Sequence, residues 1–260
     1  MMEVLNRVKN LQVVDEFLTF LGIYDDVKRE RALKKLLLKE KEKIKGKTVV
    51  EAGAGFGIFS EWMKKLGARK VYAVESNPLV YEVLKEKREI TPVLSTIEEF
   101  EPPEKIDILF HEFYGPMLYD ESLAALERLK FSPEWVIPDR GRLLCGVVNV
   151  KDKVVKDRVL QAFAGVLITD LFPWIRKVPL TIPVAVWKYG EGLRILNCEV
   201  PEEGNFVVFG MEIWHEKNFV CSSLTCTNWP LVWTPRLGRR FKLSFEWKDG
   251  VTEVLFEWET

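Results

Sequence analysis

A buried strand that runs straight into three glycines at alternate positions leaves a chain few choices of fold. Residues 49–59, VVEAGAGFGIF, do this: Val49 and Val50 lead into Glu51, and Gly53, Gly55 and Gly57 follow at every second place. Such glycines let the backbone turn with positive φ and let it approach a ligand more closely than any Cβ would allow. The dinucleotide fingerprint Gly-x-Gly-x-x-Gly would need a glycine three places after Gly55, where Ile58 stands. A dinucleotide is therefore the weaker expectation.

About twenty residues on, VYAVESNP (71–78) predicts a second buried strand ending at Glu75. A carboxylate there can accept both hydroxyls of a ribose. Glycine turn and acid together point to a phosphate-free nucleoside cofactor, S-adenosylmethionine. The plainer reading, a tight turn and a helix-capping acid, does not explain why both signals fall at consecutive strand ends with a helix between. A third strand, Ile108 to Phe110, leads to Glu112, and the loop after it carries Gly115 and Glu121. Glu121 has its own plainer reading as a cap, because Asp120, Glu121 and Ser122 precede an apolar stretch, Leu123 to Leu129, that predicts a helix.

Glu112, Gly115, Leu118 and Glu121 match Glu-x-x-Gly-x-x-Leu-x-x-Glu, and with these residues the chain resembles the protein arginine methyltransferases over most of its first half. The resemblance implies a doubly wound, Rossmann-like α/β methyltransferase domain followed by a β-barrel-like domain, here residues 1–140 and 141–260. It implies Glu112 and Glu121 as catalytic carboxylates. It sets Glu98, with Ile97, at the adenine amino group, and Asp26 and Arg29 on an Asp-x-x-Arg pair whose arginine binds the methionine carboxylate, with Arg31 two residues away. Trp135 to Arg140, WVIPDR, is similar to the family's link between domains, with Pro138 at its proline. Two departures stand out. The family's Tyr-Phe-x-x-Tyr element has no counterpart in NLQVVDEFLTF (10–20), which lacks tyrosine, and the family's Thr-His-Trp becomes Thr227-Asn228-Trp229. Asn228 and Trp229 are the expected substrate-binding residues, but asparagine cannot take up a proton as imidazole can.

Two carboxylates suit a guanidinium. It is almost always protonated and a poor nucleophile, and a bidentate grip fixes its plane and concentrates positive charge on the nitrogens held, leaving another to attack in line. One glutamate with a raised pKa, or a water, can accept the departing proton. Within the same enzyme class a small guanidino compound or amine is an alternative acceptor. A catalytically silent cofactor-binding subunit is another reading, motivated by the missing tyrosines and Asn228. Amino methylation of DNA is disfavoured, because His111-Glu112-Phe113-Tyr114 lacks the acidic or amide residue, two prolines and aromatic of that class.

The 260 residues carry a net charge of −1, so no global field recruits nucleic acid or membrane. The best apolar run, Leu160 to Leu171, is short and holds Asp170. Charges at Glu3, Arg7, Lys9, Asp15 and Glu16 break any signal-peptide core, and the expected location is cytoplasmic. Cys145, Cys198, Cys221 and Cys226 form no Cys-x-x-Cys pair, and with only His111 and His215 besides, no metal site is expected. Abundant Lys and Glu beside two glutamines suggest a thermophile, where a Cys221–Cys226 disulfide becomes an option. His111, on a strand beside Glu112, is expected to pack rather than to catalyse.

Helical spacing runs over 13–38, and Lys28 to Lys47 holds ten basic and three acidic residues, a pattern expected of a solvated face. From Arg140 the texture turns to β: residues 142–150, 181–187, 193–200 and 205–214 read as strands. Phe241 to Trp247 and Val254 to Trp258 alternate about an Asp249-Gly250 turn, as a hairpin does. Most tryptophans fall in such alternating patterns and read as core, with Trp229 and Trp233 as exceptions near the active-site loop. Val154 to Ile175 is apolar and partly helical. The family dimerises through a helical arm, for which this segment is short, so its ring dimer is not expected and a homodimer is an option; the methyl acceptor is a protein or a small molecule.

Overall fold

The structure, a computed structural model, describes residues 21–22, 24–150, 162–169, 177–201, 203–248 and 251–259. The tyrosine-free stretch 10–20, the turn at 249–250 and most of 154–175 lie outside these. The chain divides into two compact units, Met1–Phe113 with Arg128–Pro138, and Tyr114–Glu127 with Asp139–Thr260.

In the first unit, helix α1 (Val27–Lys39) begins where the Asp26 side chain accepts the Arg29 N–H at 3.0 Å. Arg29, Leu33, Leu36 and Leu37, spaced i, i+4, i+7 and i+8, form its buried face. A single further turn, α2 (Lys41–Ile44), leads to a five-stranded parallel sheet of β1 (Thr48–Ala52), β2 (Lys70–Glu75), β3 (Thr91–Leu94), β4 (Ile108–His111) and β5 (Trp135–Ile137). Helix α3 (Ile58–Lys65) connects β1 to β2, and α4 (Pro78–Leu84) connects β2 to β3. The order is β3-β2-β1-β4-β5, so the winding reverses between β1 and β4. Every residue of β1 and β4 is buried, as a parallel strand covered on both faces requires. The strand at 108 is thus the fourth: β3, four residues long with Pro92 inside, has too little pattern to show in the sequence. Lys28, Arg31, Lys35, Lys39, Lys41 and Lys45 are exposed, so the basic run lies largely in solvent.

The second unit is barrel-like and antiparallel. Its larger sheet runs β7 (Ile168–Thr169), β12 (Val232–Pro235), β10 (Phe206–His215), β6 (Arg140–Val148), β8 (Ile182–Lys188) and β9 (Gly192–Ile195), with β11 (Asn218–Ser222) also on β10. Strands β13 (Arg240–Lys248) and β14 (Val251–Glu259) form the expected hairpin, pairing Phe241 with Trp258 and Leu243 with Phe256. Within the segment read as partly helical, Ile168–Thr169 is strand and pairs with β12. Leu123–Glu127 is a short buried 3₁₀ helix instead of the longer helix expected to Leu129. Tyr114 explains why its segment joins this unit: its hydroxyl donates to the Arg140 carbonyl at 3.3 Å and its ring meets Trp187 edge-on at 5.9 Å. Trp233, read as an exception to the core pattern, is core: it lies in β12, 1% exposed, packed with Val178, Phe206, Val208 and Leu231. No disulfide joins Cys221 to Cys226.

Gly146, in β6, faces the backbone of the segment before β8. A Cβ there would overlap the Pro179 carbonyl oxygen and come within 2.8 Å of Val178 Cγ1. Backbone cannot step aside as a side chain can, so Gly146→Ala is expected to destabilise the protein by about 2 kcal/mol. Thermal denaturation followed by near-UV circular dichroism should show a fall of roughly 4–8 °C; an unchanged midpoint would mean that this packing yields.

Candidate active site

Three adjacent parallel strands end at the same edge of the first unit's sheet, and each ends in chemistry: β2 in Glu75, β1 in the glycine turn, β4 in Glu112. This is the carboxyl edge, at the reversal of winding where α/β proteins place their ligands.

Gly53, Gly55 and Gly57 all have positive φ, at 64°, 53° and 75°. The space a Cβ would take is used by the protein itself. Phe113 Cε1 would lie 2.6 Å from a Cβ at Gly53, Leu84 Cδ1 2.6 Å from one at Gly57, and the Tyr24 hydroxyl against one at Gly55. At each of the three positions a Cβ would meet a side chain from a distant part of the chain, so the turn is packed as well as tight.

Glu75 anchors the turn. Its Oε2 accepts the Gly55 N–H at 2.8 Å and its Oε1 the Asn77 N–H at 2.7 Å. Burial raises its pKa, against the pull of these backbone donors. A carboxylate offers about four lone-pair sites, so it can accept a further donor beside these backbone groups. Asn77 in turn caps α4 by accepting from Leu79 N at 2.9 Å.

Glu51 is 2% exposed in β1 and accepts a hydrogen bond from the Ser60 hydroxyl on α3. Burial pushes its pKa up to about 8, although the bonds from Ser60 pull it down. It is thereby tied to α3. Ile97 is buried and Glu98 half-buried in a turn after β3.

Of the two arginines near Asp26, it is Arg29 that turns inward. Its Nη1 lies 2.8 Å from Glu112 Oε1, with side-chain exposures of 7% and 16%, while Arg31 is exposed. Burial lifts the Glu112 pKa to about 7 even though Arg29 acts to lower it. His111 packs as expected: it is fully buried, with Nε2 2.8 Å from the Pro138 carbonyl oxygen.

The second unit holds the other candidates. Glu121 has an exposed side chain, and its carbonyl accepts from the Thr252 hydroxyl at 3.1 Å. Its loop is shaped by Asp120, whose Oδ1 accepts the Met117 N–H at 2.8 Å and whose carboxyl burial raises to about 6. Leu118 adopts φ 73° with its N–H on the Gly115 carbonyl at 2.8 Å. Trp229 is 2% exposed, whereas Asn228 is half-buried in the connection from β11 to β12.

Sequence reading missed Tyr24 and Phe113, both packed on the glycine turn. Tyr24 lies two residues before Asp26, beyond the tyrosine-free stretch 10–20; Phe113 directly follows Glu112.

No family model matches the chain. Protein arginine N-methyltransferase 6 of Danio rerio is 32% identical over 148 residues, covering 52% of this chain and 41% of the relative. The protein of the same name from Xenopus tropicalis is 36% identical over 144 residues, covering 53% and 42%. The chain thus spans about two fifths of the length of these curated relatives. Among solved structures, the Trypanosoma brucei PRMT1 enzyme–prozyme heterotetrameric complex with AdoHcy matches with a TM-score of 0.62 at 18% identity, covering 85% of this chain and 86% of that one. The chain resembles the protein arginine methyltransferases in sequence over about half its length and in fold over most of it.

Proposed function

We propose that this protein is an S-adenosylmethionine-dependent N-methyltransferase acting on arginine or a related guanidino nitrogen. The observation that carries the reading is the carboxyl edge of β2, β1 and β4, where Glu75, the glycine turn and Glu112 stand side by side with Arg29 buried against Glu112. The donor set fits the cofactor. Glu75, pinned by two backbone N–H groups, has acceptor capacity for ribose hydroxyls; Arg29 supplies a cation for the methionine carboxylate; Ile97 and Glu98 would take the adenine. Glu51, Gly53, Gly55 and Gly57 complete the cofactor side of the site. The similarity to arginine methyltransferases, one of them solved with AdoHcy, supports the same reading.

Bound there, the cofactor supplies an electrophilic methyl group on a sulfonium. The chain supplies orientation. By the Glu-x-x-Gly-x-x-Leu-x-x-Glu pattern, Glu112 and Glu121 are the carboxylates that fix the guanidinium plane. Glu112, with Oε1 toward Arg29, has Oε2 to accept a guanidinium N–H, and a pKa near 7 lets it take the proton the nitrogen sheds. Asn228 and Trp229 remain substrate-side proposals. Cytoplasmic residence and a thermophilic source are proposed from the residue pattern, and a homodimer from the resemblance to the family.

Methyl-labelled S-adenosylmethionine, incubated with the protein and with separated protein, RNA and small-molecule fractions, tests this. Label is expected in protein and to hydrolyse to methylarginine. Label confined to small molecules would move the acceptor to a free amine or guanidino compound, and label in RNA alone would reject the arginine reading. No label anywhere would favour a silent cofactor-binding subunit.

A further inference from the structure

We propose that Tyr24 is a positioning residue that docks the segment carrying Asp26 and Arg29 onto the glycine turn, so that affinity for the cofactor passes through this one phenol. The inference rests on the reading of that turn as the cofactor seat.

Two contacts hold Tyr24 there. Its ring stacks on Phe56, centroids 4.7 Å apart and planes 26° from parallel, and its hydroxyl accepts the Phe56 N–H at 2.5 Å. Burial pushes the hydroxyl pKa well up, so the phenol stays neutral and acts as a fixed dipole. Gly55 is the counterpart: a side chain at 55 would collide with the hydroxyl and lift Tyr24 away. The contact is therefore built from both sides.

From Tyr24 the chain reaches Arg29 in five residues. Asp26 caps α1 through the Arg29 N–H, and Arg29 Nη1 reaches Glu112 Oε1 at 2.8 Å. Tyr24, Arg29, Ile58 and Phe59 line one small cavity. Turn, phenol, cap and guanidinium form a single connected path, and the glycine turn is joined to Glu75 at its other side through the Gly55 N–H. Loosening the Tyr24 hydroxyl should loosen Arg29, while the core of α1, held by Leu33 and Leu37, stays in place.

A double-mutant cycle on the full chain tests this, with S-adenosylhomocysteine affinity read by calorimetry for wild type, Tyr24→Phe, Arg29→Lys and the double variant. Tyr24→Phe keeps the ring and removes the hydroxyl; it is expected to weaken binding about fivefold, the worth of one hydrogen bond. In the Arg29→Lys background the same change should cost less than about twofold, because partners on one path do not add. Losses that simply multiply would overturn the proposal, as would wild-type affinity in Tyr24→Phe.

Amide exchange without ligand provides an independent arm. Tyr24→Phe should speed exchange at Val27 to Glu30 and leave Leu36 and Leu37 unchanged. Uniform acceleration along α1 would mean a general loss of stability and would also overturn it. Should the wild-type chain fail to bind S-adenosylhomocysteine, the cofactor reading falls and the link to affinity with it, while exchange still decides whether Tyr24 docks the segment.

Discussion

Glu112→Gln is expected to lower methyl transfer by about 10²–10³-fold, the loss seen when a group aimed at developing charge is removed. Glutamine keeps the shape and one acceptor oxygen but carries no charge, so it can neither hold a guanidinium by ion pairing nor take its proton. The pH dependence identifies the cause. With Glu112 titrating near pH 7, the wild-type rate should rise through that value, and the residual rate of Glu112→Gln should not. Binding of S-adenosylhomocysteine should stay within roughly tenfold, since Glu75 and the turn are untouched. Arg29 would lose its counter-charge, but near pH 7 a carboxyl with this pKa is only about half ionised, which softens the penalty of breaking the pair. Initial rates between pH 6 and 9, with calorimetry alongside, decide the matter. A variant retaining more than about a tenth of wild-type rate would remove Glu112 from the reaction.

Glu51 leads to a larger effect on stability, and in the unusual direction for a carboxylate. Its ordinary pKa of 4.5 rises to about 8 in the fold, and that of Glu112 to about 7. Between those values the folded chain holds protons that the unfolded chain has released, so stability must fall as pH climbs from about 4.5 through 8. Glu51→Gln, neutral and nearly isosteric, should remove the Glu51 share of this fall and gain roughly 2–4 kcal/mol at pH 8, with little advantage at pH 4.5, while Glu112 and Asp120 keep the remainder. The Ser60 hydroxyl keeps an acceptor in the amide oxygen. Urea unfolding at both pH values measures the difference of slopes; equal slopes in the two proteins would show that Glu51 is not held protonated by burial.

Much of the first unit is legible in residue pattern because its signals are local. Val49 to Glu51, Val71 to Glu75 and Ile108 to Phe110 are buried runs that stop at an acid or a glycine turn, and each is a strand at that place. The hairpin of β13 and β14 shows itself by alternation for the same reason. Thr91 to Leu94 does not: a four-residue strand containing proline has no period to detect, and it forms because β2 offers a partner. Trp233 looks like a loop residue beside Pro230 and Pro235, and only the pairing of β12 with β10 makes it core.

Residue order alone determined the carboxyl-edge chemistry: a glycine turn, then Glu75, then Glu112, each set at a strand end by hydrophobic runs that can only be buried and polar groups that can only end them. Tertiary structure decided who answers these groups. That Arg29 and not Arg31 meets Glu112, that Tyr24, Phe113 and Leu84 fill the spaces left by three missing Cβ atoms, and that Tyr114 to Glu127 joins the second unit are matters of packing between residues far apart in the chain. Periodicity and turn chemistry act over a few residues and can be read from them, whereas close packing depends on which distant side chain has the volume and the hydrogen-bonding group to fit.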